Sequence, residues 1–517
     1  MGNKTSPIMP QIKNIVFLML ENRSLDNVLG WLYKDDTPEN VLPSNSSKEY
    51  DGLKENYYWL PDHASGAKFY VKAIDDFEWH SIKTNCKGVP SKDPYEQLRV
   101  TSANDFWPPR YSWSGVMNQF YGNQNPINGL PVTKNGHPAM QGFLQDFGDV
   151  HDILLTYTPE QLTVINSLAR NYAVSDRWFS SVPSDTAPNR AYSLCGSSFG
   201  RESNVSLSYD EYDHPTLFNG LQKQGKSWKL YYNEKWLTHS ECWTVLSFPQ
   251  IRQAGDPEKQ ICDINDLHHG FFADAQAGTL PDFSYIEPKW GYETVFGKVV
   301  GNEYHPPIFV GCGEVFLYQV YTHLQQSPQW KDTLLIVTFD EHGGTYDHVP
   351  PAGTAINPDG IDGQENGFKF DQFGARVPTL LISPYIPKGT VFRSANGDEH
   401  PYDHTSFIKT VLMWAGMTRD EQMNFGKRAQ LAPTFEDVLS DQRVNLNPSV
   451  SPPAEGVTCN EGDPRLMAGT EQLINVPFGA AKYILKTSKT KEEIAAAAAL
   501  YRKDPKKFEA EKLAPQR

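Results

Sequence analysis

Two apolar runs that stop abruptly at charged residues constrain this chain most. Asn14-Ile15-Val16-Phe17-Leu18-Met19-Leu20 runs straight into Glu21-Asn22-Arg23-Ser24, and Thr333-Leu334-Leu335-Ile336-Val337-Thr338-Phe339 into Asp340-Glu341-His342-Gly343-Gly344. A third run, Thr379-Leu380-Leu381-Ile382, follows Arg376-Val377-Pro378. A strand that is apolar throughout must be covered on both faces, the condition of a strand inside a parallel sheet. Between such runs lies a helical stretch. Thr158 is its expected N-cap, Pro159 its first position and Gln161 the partner of a capping box, with Leu162, Ile165, Leu168 and Ala169 at helical spacing before the strand Tyr172-Ala173-Val174. Strands alternating with helices predict a doubly wound α/β sheet. Ligands of such sheets bind beyond the carboxyl ends of the strands, where Glu21-Asn22 and Asp340-Glu341 both fall.

With 517 residues, 39% of them hydrophobic and 12% aromatic, the chain can bury a large core. Residues 1–440 are expected to form one catalytic domain, and residues 441–517 an appendage ending in a charged, Ala-rich helix. That helix is foreshadowed by Thr490 and Glu493 ahead of Ile494-Ala495-Ala496-Ala497-Ala498-Ala499-Leu500. Stretches near 36–140 and 200–300 are rich in Gly, Pro, Asn, Asp and aromatics and read as long insertions shaping the site. A net charge of -15 argues against a nucleic-acid surface. Six cysteines, without a CxxC pair, leave the redox compartment open. No apolar run nears the ~20 residues needed to span a bilayer, and the first residues lack the order of a signal peptide. The expected location is cytoplasmic or on a membrane surface, with export by another route left open.

Two polar pairs at strand ends, Glu21-Asn22 and Asp340-Glu341, make an all-oxygen set suited to a hard divalent cation. Either pair alone reads as well as a helix cap; together they favour metal. The loop Ser181-Val182-Pro183-Ser184-Asp185-Thr186-Ala187-Pro188-Asn189-Arg190 offers hydroxyls, an amide and a guanidinium. A metal can lower the pKa of a coordinated hydroxyl, and Arg190 suits either phosphate oxygens or a neighbouring carboxylate. By itself this stretch reads better as a mere turn.

In order along the chain, Glu21-Asn22-Arg23-Ser24-Leu25-Asp26, Thr186-Ala187-Pro188-Asn189-Arg190, Asp340-Glu341-His342-Gly343-Gly344-Thr345-Tyr346-Asp347-His348-Val349 and Gly374-Ala375-Arg376-Val377-Pro378 resemble the motifs of the phosphoesterase family of bacterial and plant phospholipases C and related acid phosphatases. The resemblance spans roughly residues 11–420. It implies an alkaline-phosphatase-like fold and a divalent metal ion of unspecified identity held by Glu21, Asn22, Thr186, Asp340 and Glu341. It also implies that Thr186 is the nucleophile and that Asn22 and Arg190 lie at the substrate. His305, in a His-Pro pair, and His404, before Thr405-Ser406, are similar to family histidines and become candidate phosphate ligands or proton donors. His348 reads as structural. Where relatives show Asp-Pro followed by His, this chain has Asp93-Pro94-Tyr95-Glu96.

The implied activity is a phospholipase C cleaving the glycerol-side phosphodiester of phosphatidylcholine-like lipids, with phospholipid and a membrane surface as partners. An acid phosphatase on the same scaffold and a catalytically inactive lipid-binding protein are the alternatives. Trp107, Tyr111, Trp113 and Tyr121 can hold a choline ammonium by cation–π attraction or simply pack around Pro108-Pro109.

Overall fold

A computed structural model of the chain describes residues 8–62, 65–75, 112–122, 133–134, 137–138, 140–146, 151–204, 212–233, 242–290, 292–294, 297–299, 301–306, 309–446, 448–457, 459, 491–503 and 505–508. Its centre is a sheet of nine strands. In chain order they are β1 (Asn14–Leu20), β2 (Asn40–Leu42), β3 (Ala173–Ser175), β4 (Trp228–Tyr232), β5 (Ile261–Asp263), β6 (Phe283–Glu287), β7 (Thr333–Phe339), β8 (Thr379–Ile382) and β9 (Thr390–Phe392). Across the sheet they lie β5-β4-β6-β1-β7-β8-β3-β9-β2.

The central pair explains the apolar runs. Phe17 of β1 sits opposite Ile336 of β7, so both point to one face, and Phe339, three residues on, points to the other. Phe17 stacks on Phe407 of the helix His404–Trp414 at 3.8 Å between ring centroids. Phe339 meets Tyr304, whose hydroxyl donates to Glu314 in the helix Gly311–Gln326. Helices thus cover both faces, and every residue of β1 and β7 is buried. This is the doubly wound α/β architecture that the alternation predicts.

Three local expectations need correction. β8 is not parallel: it pairs antiparallel with both β7 and β3, with Thr338 opposite Thr379. The chain leaves β7 at its carboxyl end and returns through residues 340–378 without a helix, so the next strand starts at the end where its neighbour finishes. A four-residue apolar run covered on both faces looks the same in either direction. Second, residues 200–300 are not simply an insertion, because β4, β5 and β6 extend the sheet by three parallel strands. Third, the helix expected from Thr158 begins at Thr163. The Gln161 side chain does accept from the Thr158 amide at 3.0 Å, but this closes only a turn. The true helix start is capped from outside, where Glu314 accepts from the amides of Val164 and Ile165 at 2.6 and 3.1 Å.

Beyond residue 440 the chain runs back over the sheet domain. Val444 and Asn445 donate their amides to the Pro384 carbonyl, Arg443 pairs with Asp332, and Cys459 is disulfide-bonded to Cys312. The Ala-rich segment forms the helix Lys491–Lys503, in which Ala498 and Tyr501 are buried. Among the described residues no helix is long and apolar enough to cross a membrane.

Candidate active site

The carboxyl ends of β1 and β7 lie side by side, Leu20 opposite Phe339, and so deliver Glu21-Asn22 and Asp340-Glu341 to one place. Asn22 sits in the left-handed region at φ 47, a conformation Asn tolerates better than most residues. The turn after Glu341 presses against it: a Cβ on Gly343, whose φ is 61, would lie 2.2 Å from the Asn22 carbonyl oxygen. Only glycine fits there.

The third part of the site is Thr186, first residue of the helix Thr186–Cys195. Its hydroxyl accepts from Asn22 Nδ2 at 3.4 Å. Asn189 holds the preceding loop in shape. Its amide donates to the carbonyls of Val182, Ser184 and Asp185 at 3.1, 2.9 and 3.1 Å, and its oxygen accepts from the Val182 amide at 3.0 Å. Sequence reading noted this asparagine only as one polar group among several; its position three residues after the hydroxyl, on the inner turn of a helix start, is the signal for a loop clamp.

Arg190 is fully buried, and its hydrogen bonds run to protein groups. Its Nε and Nη2 reach Glu21 Oε1 at 3.1 and 2.6 Å, Nη1 donates to the Tyr285 hydroxyl at 3.2 Å, and Nη2 also donates to the Met19 carbonyl. Trp290 and Trp243 flank the guanidinium at 4.9 and 5.9 Å. Of the two partners Arg190 suits, phosphate or carboxylate, the structure supplies a carboxylate, Glu21, through two of its donors. Its effect is to orient Glu21 and offset part of the local negative charge.

Three carboxyl groups, Glu21, Asp340 and Glu341, are buried here, and the Arg190 guanidinium reaches two of them, Glu21 and Asp340. Burial raises the pKa of Glu21 and Glu341 well above the ordinary range, and the charge of Asp340 adds to it. Asp340 is raised by burial and held back by Arg190. Among the described residues, the buried oxygens Asn22 Oδ1, Asp340 Oδ2 and Glu341 Oε1 have no hydrogen-bond partner. Arg190 Nε stands 3.5 Å from Asp340 Oδ2 without a hydrogen bond forming. An orphaned buried acceptor costs ~1–3 kcal/mol, so hard oxygen donors left unpaired in an electronegative pocket suit a divalent cation.

Among the described residues, the acidic and histidine side chains whose ligand atoms lie closest to metal spacing are a different group, Asp26, Asp347 and His348. It already contains its cations. Arg376 donates to Asp347 Oδ1 and Asp26 Oδ1, both at 2.9 Å, and His348 Nδ1 lies 2.7 Å from Asp26 Oδ2. Burial opposes charge on His348, but Asp26 and Asp51 outweigh it and hold the imidazole up to about 9. This cluster is a structural clasp joining three motifs, in keeping with the structural reading of His348.

His404 opens the helix His404–Trp414. Its Nε2 bonds to the Asp340 carbonyl at 2.6 Å, while Nδ1 is buried without a partner. His305 Nδ1 bonds to the Pro306 carbonyl. Burial depresses both imidazoles to about 4, so both are neutral near pH 7 and neither begins as an acid. His342, whose Nε2 meets Gln119 Oε1 at 2.7 Å, is likewise pushed down, to about 3. Trp113 is buried in a second apolar cluster, 5.8 Å from Phe368, and Tyr121 packs at its margin. Trp107, Tyr111 and Glu96 lie outside the described residues.

Residues 12–415 match the Phosphoesterase family. The chain is 32% identical to non-specific phospholipase C1 of Arabidopsis thaliana over 422 residues, 79% of this chain and 68% of that protein. It is 27% identical to phospholipase C B of Mycobacterium tuberculosis over 434 residues, covering 77% and 72% of the two chains. A protein in the alkaline phosphatase superfamily from Vibrio parahaemolyticus superposes with a TM-score of 0.31 at 14% identity, over 84% of this chain and 98% of that one. Through its match over residues 12–415, which contain all the clustered site residues, the chain belongs to the Phosphoesterase family and is a hydrolase of phosphate esters.

Proposed function

We propose that the protein is a phospholipase C that cleaves the glycerol-side phosphodiester of phosphatidylcholine-like lipids, with Thr186 as nucleophile. The observation that carries the reading is the convergence of Asn22, Thr186, Asp340 and Glu341 beyond adjacent strands, with three buried oxygens unpartnered. Relatives named phospholipase C, at 32% and 27% identity, support the substrate class.

Glu21, Asn22, Thr186, Asp340 and Glu341 would hold a divalent cation, which supplies Lewis acidity that eases loss of the Thr186 proton and draws charge from phosphoryl oxygens. The Thr186 oxygen attacks phosphorus, the bond from phosphorus to the glycerol oxygen breaks, and diacylglycerol leaves. A neutral imidazole, His404 or His305, takes the Thr186 proton and passes it to the departing oxygen. Water then attacks phosphorus, giving up a proton that the same imidazole returns to the Thr186 oxygen as its bond to phosphorus breaks, and phosphocholine is released. Arg190 and Asn189 keep Glu21 and the loop before Thr186 in place. Choline recognition finds no support from Trp113, which is committed to packing.

The test is product analysis on phosphatidylcholine beside the rate on an aryl monophosphate. Diacylglycerol and phosphocholine formed faster than aryl alcohol are expected. Phosphatidic acid plus choline, or turnover of the monoester alone, contradicts the reading.

A further inference from the structure

Among the described residues, the exposed large aromatic side chains lie on one hairpin and the turn that leads into it. Tyr57, Trp59 and Tyr70 are 66%, 37% and 41% exposed, whereas the other exposed large hydrophobic side chains are aliphatic. The strands Trp59–Pro61 and Lys68–Tyr70 pair antiparallel, with Trp59 opposite Tyr70, Leu60 opposite Phe69 and Pro61 opposite Lys68. Alternation therefore puts Trp59, Tyr70 and Lys68 on the outer face, and the Lys68 ammonium lies 4.0 Å over the Trp59 ring. The inner face is anchored. Leu60 is buried in the apolar cluster that also holds Val182 and Tyr346, and Tyr58 lies against His348 at 4.2 Å between ring centroids.

We propose that the outer face of this hairpin docks the protein on a phospholipid bilayer. The inference rests on the phospholipase C reading, since only a substrate embedded in lipid requires such a surface. Isolated exposed aromatics are ordinary, but three gathered on one hairpin and its leading turn are not. Trp and Tyr settle at the head-group level of a bilayer because one end of the ring is apolar and the other polar. Lysine stems lie along such rings while their charges reach phosphates. The hairpin and its immediate flank present Lys68 and Lys72 to solvent, while Asp62 is turned inward onto Ser65; further out, Lys54 is paired with Glu49, and Glu55 and Asp75 are exposed.

Position agrees with chemistry. The loop leaving Asp340 and Glu341 runs from Gly343, packed on Asn22, to His348, packed on Tyr58. Val182, in the loop that presents Thr186, shares the apolar cluster under Leu60. Through Tyr58 and this shared apolar cluster the hairpin is tied to the two loops that build the site, and a bilayer touching its outer face meets the molecule on their side.

The full chain, the double variant Trp59→Thr/Tyr70→Thr and the control Leu267→Thr would be compared by sedimentation with phosphatidylcholine vesicles. Hydrolysis of those vesicles and of a water-soluble monomeric phosphocholine ester would be measured alongside. Threonine preserves strand propensity at exposed positions. The double variant is expected to lose about tenfold or more in vesicle binding and vesicle hydrolysis, with soluble turnover within about twofold of the unchanged chain and the control unaffected. Vesicle binding by the double variant equal to that of the unchanged chain overturns the proposal. So does failure of the unchanged chain to sediment, or a change from dimer to monomer with vesicle binding intact, which would make the face a contact between copies. If the unchanged chain binds vesicles but hydrolyses neither substrate, the phospholipase reading fails while the sedimentation comparison still decides the docking surface.

Discussion

Thr186 contributes little to the fold and, in this mechanism, nearly everything to turnover. Its hydroxyl accepts from Asn22 at 3.4 Å and interacts with the Asp340 carboxyl, so Thr186→Ala should change stability by only about 1–2 kcal/mol. The same change should lower phosphodiester hydrolysis by about a thousandfold or more, because the covalent step has no substitute oxygen. Thermal melting and initial rates on one preparation check both; substantial remaining activity would falsify the nucleophile assignment. Arg376 is the opposite case. It lies far into the clasp with Asp26 and Asp347, and Arg376→Met leaves two buried carboxylates without their guanidinium. A loss of about 3–5 kcal/mol in denaturant unfolding is expected, and a loss under about 1 kcal/mol would show that the clasp is not what holds these loops.

At the scale of elements, legibility followed how local each cause is. β1 and β7 are readable from sequence because burial on both faces writes an uninterrupted apolar run, and the polar pairs Glu21-Asn22 and Asp340-Glu341 are readable because they follow those runs directly. The direction of β8 was not readable, since it depends on a return connection through residues 340–378 rather than on its four residues. β4, with the sequence Trp-Lys-Leu-Tyr-Tyr, keeps Lys229 and Tyr232 partly exposed and so lacks the signature of a central strand. Arg190 was legible as a site residue but not its aim, which is set by Tyr285 and two tryptophans from distant segments. The start of the helix Thr163–Asn171 was hidden for the same reason, because its cap is Glu314, about 150 residues away. Glu314→Ala removes the acceptor for two helix amides and the Tyr304 hydroxyl, and should cost at least about 2 kcal/mol in thermal or denaturant unfolding. No measurable cost would mean that the helix end finds another cap.

Over the whole molecule, the crowded carboxyls couple stability to both pH and cation. Glu21, Asp340 and Glu341 have raised folded pKa values, so the folded chain binds their protons more tightly than the unfolded chain does. Their contribution favours the fold at acid pH and turns against it as pH rises above the ordinary range near 4–4.5. His305 and His404, depressed to about 4, act the other way: their contribution is present above about 6.5 and is lost as pH falls towards 4. Subtracting the melting temperature of the metal-free protein from that of the cation-loaded protein at each pH isolates the carboxyl site. The difference should grow from pH 5 to pH 8, because binding at low pH must first displace protons. A difference that is flat or shrinks over that range would place the cation elsewhere.

The chemistry proposed for Thr186 depends on a cation at Glu21, Asn22, Asp340 and Glu341, and one measurement addresses that dependence directly. Phosphocholine release from phosphatidylcholine is followed on protein stripped of metal by chelator, with bound metal quantified on the same sample, and again after single divalent cations are added back. Activity should vanish with the metal and return with one cation per chain; full activity in protein shown to contain no metal would contradict the reading at its centre.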